Sequence, residues 1–138
     1  MKNNIINEKL TDLLGNRFST SESVRANYAR GEDAYDPVLS QAVAFPQSNE
    51  EVSKIIKLCN LYKVPIVPFG TGTSLEGHAV GNEKGITVSL ENMNKILAVN
   101  AEDFDCRVQA NVTRKQLNEE LKTEGVFFPI DPGADAAL

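Results

Sequence analysis

The chain has 138 residues, of which 41% are hydrophobic and 24% charged, a composition typical of folded globular domains rather than disordered or fibrous chains. A domain of this length buries roughly 68% of the surface that its unfolded chain exposes, so folding requires no metal ion or disulfide. The net charge is −5, and no stretch concentrates Lys and Arg, which argues against a nucleic-acid partner.

The first residues, MKNNIINEKL, lack the continuous apolar run of a signal peptide, and no segment approaches the ~20 apolar residues of a transmembrane helix. We therefore expect a cytoplasmic protein with no transmembrane segment. Cys59 and Cys106 fit no metal-ligand spacing, and we predict that both are buried core residues and that the chain has no metal site.

The first 41 residues are predicted to form a helix and an irregular lead-in. Ile6, Leu10 and Leu14 lie at helical spacing, with Asn7 as a possible N-cap and Gly15 as the stop. Residues 16–40 show no clean period, so we expect mostly loop with one helical turn around residues 24–28. No composition shift marks a boundary between two domains.

A strand, a helix and a second strand are predicted next. Residues 42–45 form a short apolar run closed by Pro46, and Ser48 with Glu51 forms a capping box that begins a helix. Residues 64–69 form a second apolar run, too rich in β-branched residues and prolines to be helical. Such a crossover makes the two strands parallel.

Three further strands and one helix complete the predicted elements. Residues 86–90, residues 96–99 and the alternating segment around Cys106 are expected to be strands, with a pairing order that the sequence leaves open. Thr113 is expected to cap a helix, with Gln116 completing the capping box and Gly125 as the stop. The predicted fold class is α+β with a βαβ start, in which helices flank a small parallel or mixed sheet.

Five of the nine glycines lie between Gly70 and Gly85, directly after the second strand of the βαβ unit. Glycines allow positive φ and close approach to a ligand, and successive amides can form a concave anion-binding nest. The carboxyl end of a parallel strand is also where open α/β sheets bind ligands. A phosphate or diphosphate ligand is favoured over the alternative, an ordinary turn-rich connection.

Two common phosphate-binding motifs are excluded. The dinucleotide fingerprint GxGxxG fails because Leu75 stands where its third glycine should be, and because the next element is a predicted strand. A Walker A motif fails because His78 and Ala79 follow Gly77 in place of the Lys and Ser/Thr pair.

The loop nevertheless resembles a known one. In order, its residues are Pro68, Phe69, Gly70, Thr71, Gly72, Thr73, Ser74, Leu75, Glu76, Gly77 and His78. This run is similar to the pyrophosphate loop of FAD-linked oxidases of the vanillyl-alcohol oxidase type, and more narrowly of the D-lactate dehydrogenase (cytochrome) and glycolate oxidase flavoprotein-subunit branch. Residues 42–62, 112–118 and 127–136 match the same branch, so the resemblance covers residues 42–138, which we assign as the first FAD-binding (PCMH-type) subdomain.

The resemblance implies that the amides of Gly70 to Ser74 hold the FAD diphosphate. Pro68, Phe69, Gly77 and His78 are assigned to the same cofactor-binding loop. It also implies that Pro132, Gly133, Ala134 and Asp135 line a second side of the flavin site. Relatives that bond FAD covalently through this loop have a His where Thr73 stands, so non-covalent FAD is expected. No catalytic residue is assigned, and for His78, the single histidine, a structural hydrogen bond is favoured over an acid–base role.

Members of the resembled branch continue through a substrate-binding domain and a histidine-rich catalytic motif that this sequence does not contain. We therefore expect an N-terminal portion of a flavin-dependent 2-hydroxy acid dehydrogenase or oxidase, inactive alone and partnered by the remainder of the flavoenzyme or a second subunit. The alternatives are a non-catalytic flavin- or nucleotide-binding module, a subunit of a split flavoprotein, or a truncated remnant.

Overall fold

Four short strands form the sheet that carries the glycine-rich loop. The computed structural model describes residues 2–130 and divides the chain into two compact units, Met1–Asn92 and Met93–Leu138. No composition shift marks this division. The assignment of residues 42–138 to a single subdomain stays a prediction.

The first unit contains three helices and four strands: α1 (Lys2–Leu14), β1 (Phe18–Ser19), α2 (Glu22–Asn27), β2 (Ala42–Ala44), α3 (Asn49–Tyr62), β3 (Ile66–Phe69) and β4 (Ile86–Ser89). The strand order is β1-β2-β4-β3, with β4 parallel to both β2 and β3, and β1 antiparallel to β2. This mixed sheet confirms the predicted α+β class and the parallel strands of the βαβ unit. The sequence could not show that β4 lies between β2 and β3.

The core of the first unit lies between the sheet and two helices. Ile6 and Leu10 of α1, Ile55 of α3, Ala42 of β2 and Ile86 of β4 are all fully buried in one cluster. Ala42 and Ile86 are register partners, so both helices pack on the same face of the sheet.

Two predictions for the N-terminal region need correction. Helix α1 begins at Lys2, so Asn7 lies inside it and is not the N-cap; its carbonyl accepts a hydrogen bond from Thr11 Oγ1 at 2.8 Å. The reason is that Ile6 packs in the core and extends the helix before Asn7. Residues 16–40 also contain β1, whose two residues are too few to show an alternating pattern, whereas the predicted helical turn is confirmed as α2.

Helix α3 starts as predicted. Ser48 Oγ accepts the Glu51 amide at 3.2 Å, which is the predicted N-cap bond. The Glu51 carboxylate accepts the Gln47 amide at 2.8 Å rather than the Ser48 amide, so the predicted reciprocal bond of this capping box is wrong. Arg17 donates two further hydrogen bonds to this carboxylate, at 2.6 and 2.7 Å. These bonds hold the pKa of Glu51 below its usual value and fasten the chain before β1 to the start of α3.

The second unit consists of β5 (Ile96–Asn100) paired antiparallel with β6 (Asp105–Val108), followed by α4 (Arg114–Leu121). Thr113 Oγ1 caps α4 by accepting the Gln116 amide at 3.2 Å, as predicted. The Gln116 side chain donates to the Asn94 carbonyl at 2.7 Å, so the predicted reciprocal bond of the capping box is wrong. Gly125 follows the helical segment at a φ of +71°, which confirms the predicted stop.

The two cysteines differ in burial. Cys59 is 1% exposed in the core of the first unit, as predicted, whereas Cys106 is only half-buried, which corrects the second prediction. The reason is that β6 belongs to a two-stranded sheet, which shields its residues less than the four-stranded sheet does. None of the helices in residues 2–130 combines the length and the apolar character needed to cross a membrane.

Candidate functional site

Residues 70–85, which we call the glycine loop, leave the carboxyl end of β3 at one edge of the sheet and return to the start of β4 at the opposite edge. The parallel strands β2, β3 and β4 end at Ala44, Phe69 and Ser89, so their carboxyl ends meet at the edge where the loop begins. Ligands of open α/β sheets bind at such an edge. The structure therefore places the predicted loop where the sequence argument requires it.

The start of the glycine loop offers donors that the rest of the described chain does not use. Within residues 2–130, no acceptor takes the main-chain amides of residues 70–74. Gly70 and Thr71 are exposed, and the next three residues are half-buried. Residues 70–81 contain no Lys or Arg, so an anion bound here would be held by amides and hydroxyls.

Two glycines of the loop adopt a conformation that other residues rarely take. Gly72 has a φ of +76° and Gly77 a φ of +74°. A Cβ atom at Gly72 would lie 2.8 Å from Cζ of Phe69, so both the backbone and its neighbour demand glycine there. The Gly72 carbonyl accepts the Glu32 amide at 2.8 Å, which fixes the turn of the loop.

Three aromatic rings pack together near the carboxyl ends of β2 and β3. Tyr28 lies edge-on to Phe45, with ring centroids 5.4 Å apart, and edge-on to Phe69 at 5.1 Å. Its hydroxyl donates to Glu91 Oε2 at 2.6 Å. Burial, together with this bond, raises the pKa of Tyr28 to about 12, so the hydroxyl remains a donor at neutral pH. Tyr28 was missed from the sequence because these partners are distant along the chain.

The predicted site residues of the loop differ in burial and in hydrogen-bond partners. Phe69 is buried beneath Gly72, and Pro68 is exposed on β3. His78 is exposed, and its Nδ1 lies 3.1 Å from Ser74 Oγ, the structural hydrogen bond expected for it. Thr71 and Thr73 place their hydroxyl oxygens 3.3 Å apart. Pro132, Gly133, Ala134 and Asp135 lie outside the described residues, so the second side of the site stays a prediction.

The described residues do not favour a metal site. No group of three or more His, Cys, Asp or Glu side chains in residues 2–130 is placed to hold a metal ion. Among the described residues, the arrangement offers five successive main-chain amides without an acceptor, and successive amides of this kind can bind an anionic group such as a phosphate.

Fold and loop together define an α+β domain with a glycine-rich loop that starts at the carboxyl edge of parallel strands. A family model described as "FAD binding domain" matches residues 40–137, so the chain belongs to this family of FAD-binding domains. FAD is therefore its cofactor, and the acceptor-free amides of residues 70–74 fit the diphosphate of FAD. Thr73 and its neighbours supply hydroxyls and no histidine, which fits non-covalent binding.

Curated relatives support the same branch. A "Probable D-lactate dehydrogenase, mitochondrial" of Danio rerio is 44% identical over 120 residues, which cover 87% of this chain and 24% of that protein. A "D-lactate dehydrogenase [cytochrome], mitochondrial" of Arabidopsis thaliana is 37% identical, covering 94% and 23%. The "Glycolate oxidase subunit GlcD" of Bacillus subtilis is 30% identical, covering 94% and 28%. The chain thus spans about a quarter of the length of the curated relatives it matches.

Solved structures share the fold at low identity. An alkyldihydroxyacetonephosphate synthase superposes with a TM-score of 0.86 at 20% identity, over 97% of this chain and 27% of that one. A p-cresol methylhydroxylase superposes with a TM-score of 0.79 at 23% identity, over 90% and 25%. These likenesses confirm the predicted fold.

Proposed function

We propose that the main-chain amides of residues 70–74 hold the diphosphate of FAD non-covalently, as the FAD-binding portion of a flavin-dependent 2-hydroxy acid dehydrogenase or oxidase. The observation that carries this proposal is the row of amides at the carboxyl edge of the parallel strands, for which residues 2–130 provide no acceptor. Membership of the FAD-binding family names the ligand, and the names of the relatives suggest D-lactate or glycolate as the kind of substrate.

In this proposal the chain's own residues bind and orient the cofactor. The amides donate to the diphosphate, and Gly72 keeps the backbone close enough for several of them to reach it at once. Bound flavin supplies the hydride acceptor for oxidation of the hydroxy acid. Residues 132–135 would line a second side of the flavin.

The 138-residue chain is proposed to bind FAD without oxidising a hydroxy acid. In the glycine loop the titratable side chains are exposed: His78 bonds Ser74, and Glu76 lies at the surface. Turnover would need the remainder of the flavoenzyme or a partner subunit. Dye reduction by D-lactate or glycolate with this chain alone would contradict this part of the proposal.

A cytoplasmic location also belongs to this proposal, since the glycolate oxidase subunit of Bacillus subtilis is named without an organelle. Several relatives are named as mitochondrial proteins. Fractionation of cells that produce the protein tests the location.

FAD titration of the chain tests the binding site, with Thr73→Asp as the perturbation. Thr73 lies within the amide row of residues 70–74, so the added carboxylate would lie close to the diphosphate. A unit charge about 8 Å from about two charges, at an effective dielectric constant of about 40, costs roughly 2 kcal/mol, or about 30-fold in Kd. Thr20→Asp, at an exposed position away from the loop, is the matched control and should leave the Kd within about twofold.

The FAD affinities of the two variants decide whether residues 70–74 form the diphosphate site. Loss of affinity in Thr73→Asp alone supports the diphosphate site. Equal affinity in both variants, or no binding by the unmodified chain, would refute it. A non-catalytic binding module would bind FAD equally well but would not restore turnover when combined with the remainder of a flavoenzyme.

A further inference from the structure

Three glycines of the glycine loop contact one segment of the irregular lead-in, residues 29–38, which we call the clamp. At Gly72, the carbonyl accepts the Glu32 amide at 2.8 Å. Gly31 approaches the same carbonyl so closely that a Cβ atom on Gly31 would overlap its oxygen. The backbones of the clamp and the loop are therefore in direct contact where the row of free amides turns.

The clamp also contacts the far half of the glycine loop. A Cβ atom on Gly77 would lie 2.7 Å from the ring of Tyr35. The Gly81 amide donates to the Ala29 carbonyl at 2.9 Å, and the Val38 amide donates to the same oxygen at 3.1 Å. Both halves of the loop are thus held by one stretch of ten residues.

The Asp33 side chain forms hydrogen bonds with the backbone inside the clamp. It is 7% exposed, and its carboxylate accepts the Gly31 amide at 3.1 Å and the Tyr35 amide at 3.0 Å. Gly31 is the residue that approaches Gly72, and Tyr35 is the residue that approaches Gly77. The carboxylate is negative, and each of its oxygens already accepts an amide, so it is suited to hold the turn rather than to bind a diphosphate.

We propose that the clamp holds the glycine loop in its anion-binding shape before the ligand arrives, with Asp33 as the positioning residue. This inference rests on the proposed function of the loop. A loop that is correctly shaped for only part of the time binds with an affinity reduced by that fraction. Loosening the clamp should therefore weaken FAD binding although no clamp residue need contact the cofactor.

Asp33→Asn tests the clamp, because it keeps the side-chain size and replaces one acceptor oxygen by an NH2 group that faces an amide. A lost charge-assisted hydrogen bond predicts a Kd for FAD that is about tenfold higher. Asp36→Asn is the matched control: the exposed Asp36 lies three residues away, and its variant should keep the Kd within about twofold. Thermal unfolding of both variants shows whether the fold is retained.

Amide hydrogen exchange in the free chain gives a second readout that does not depend on FAD. The Glu32 and Gly81 amides join the clamp to the loop, so Asp33→Asn should speed their exchange about tenfold while amides in α3 keep their rates. Unchanged Kd together with unchanged exchange at these two amides would overturn the proposal. If the unmodified chain does not bind FAD, the proposed function fails, and the exchange rates alone then decide whether the clamp exists.

Tyr35→Ala keeps the inference testable if Asp33→Asn does not fold. The Tyr35 side chain is 58% exposed, so its removal should not unfold the first unit. Loss of the ring beside Gly77 loosens the clamp, which is expected to raise the Kd about fivefold and to speed exchange at Gly81. If Tyr35→Ala keeps the wild-type Kd for FAD and the wild-type exchange rate at Gly81, the proposed role of the clamp is wrong.

Discussion

Replacing Gly72 with alanine should weaken FAD binding far more than a comparable change elsewhere. Gly72 has a φ of +76°, and its carbonyl accepts the Glu32 amide of the clamp at 2.8 Å. An added methyl group therefore disturbs the loop at the point where the free amides turn. The substitution tests whether the backbone shape at this turn determines affinity.

The expected cost has two parts. An L-residue other than glycine at this φ costs about 1–2 kcal/mol. The new Cβ atom would lie 2.8 Å from Cζ of Phe69, so the ring must shift and lose part of its edge contact with Tyr28, which is worth about 0.5–1.5 kcal/mol. Together these effects disfavour the binding shape by about 2–3 kcal/mol, which converts to a Kd about 30- to 150-fold higher.

Gly15→Ala is the matched control. Gly15 has a φ of +60°, but a Cβ atom there would meet nothing within 4 Å. This variant should lose about 1–2 kcal/mol of stability through its backbone alone and keep the Kd for FAD within about twofold. Flavin fluorescence titration gives the Kd, and urea unfolding gives the free energy of unfolding of each variant.

The comparison can refute the reasoning directly. If Gly72→Ala binds FAD as tightly as the unmodified chain, the turn at Gly72 does not set the affinity. If Gly15→Ala loses as much affinity as Gly72→Ala, the effect comes from general destabilisation rather than from the loop.

Two further predictions concern stability and reactivity. Because Arg17 holds the pKa of Glu51 below its usual value, the stability from this pair is present above about pH 4.3 and lost as the pH falls through the folded-state pKa. Glu51→Gln should thus cost about 1–2 kcal/mol at pH 7 and less at pH 3 in urea unfolding. Glu119→Gln, at an exposed pair, should leave the free energy of unfolding nearly unchanged at both pH values. Burial raises the pKa of Cys59 to about 11, so a thiol reagent at pH 8 should label Cys106 first in the folded chain; equal rates would contradict the burial of Cys59.

Local sequence patterns predicted many of the helices and strands correctly. Ser48 and Thr113 predicted the starts of two helices correctly, because an N-cap is a contact between residues three apart. The apolar runs before and after α3 predicted parallel strands, since a crossover helix leaves them no other direction. Asn7 shows the limit of such reasoning, because core packing at Ile6 extended the helix beyond the local signal.

The sequence by itself determined that a glycine-rich loop follows a strand, because the spacing of glycines and apolar residues along the chain shows both. It also determined which flavoprotein family the loop resembles, because the motif residues are contiguous in the chain. Only the tertiary structure decided what surrounds that loop. The segment around Asp33 shows no period, and Tyr28 is 63 residues from the carboxylate of Glu91 that it bonds. Contacts between such distant positions leave no periodic signal, since they arise from the way the sheet brings its strand ends together.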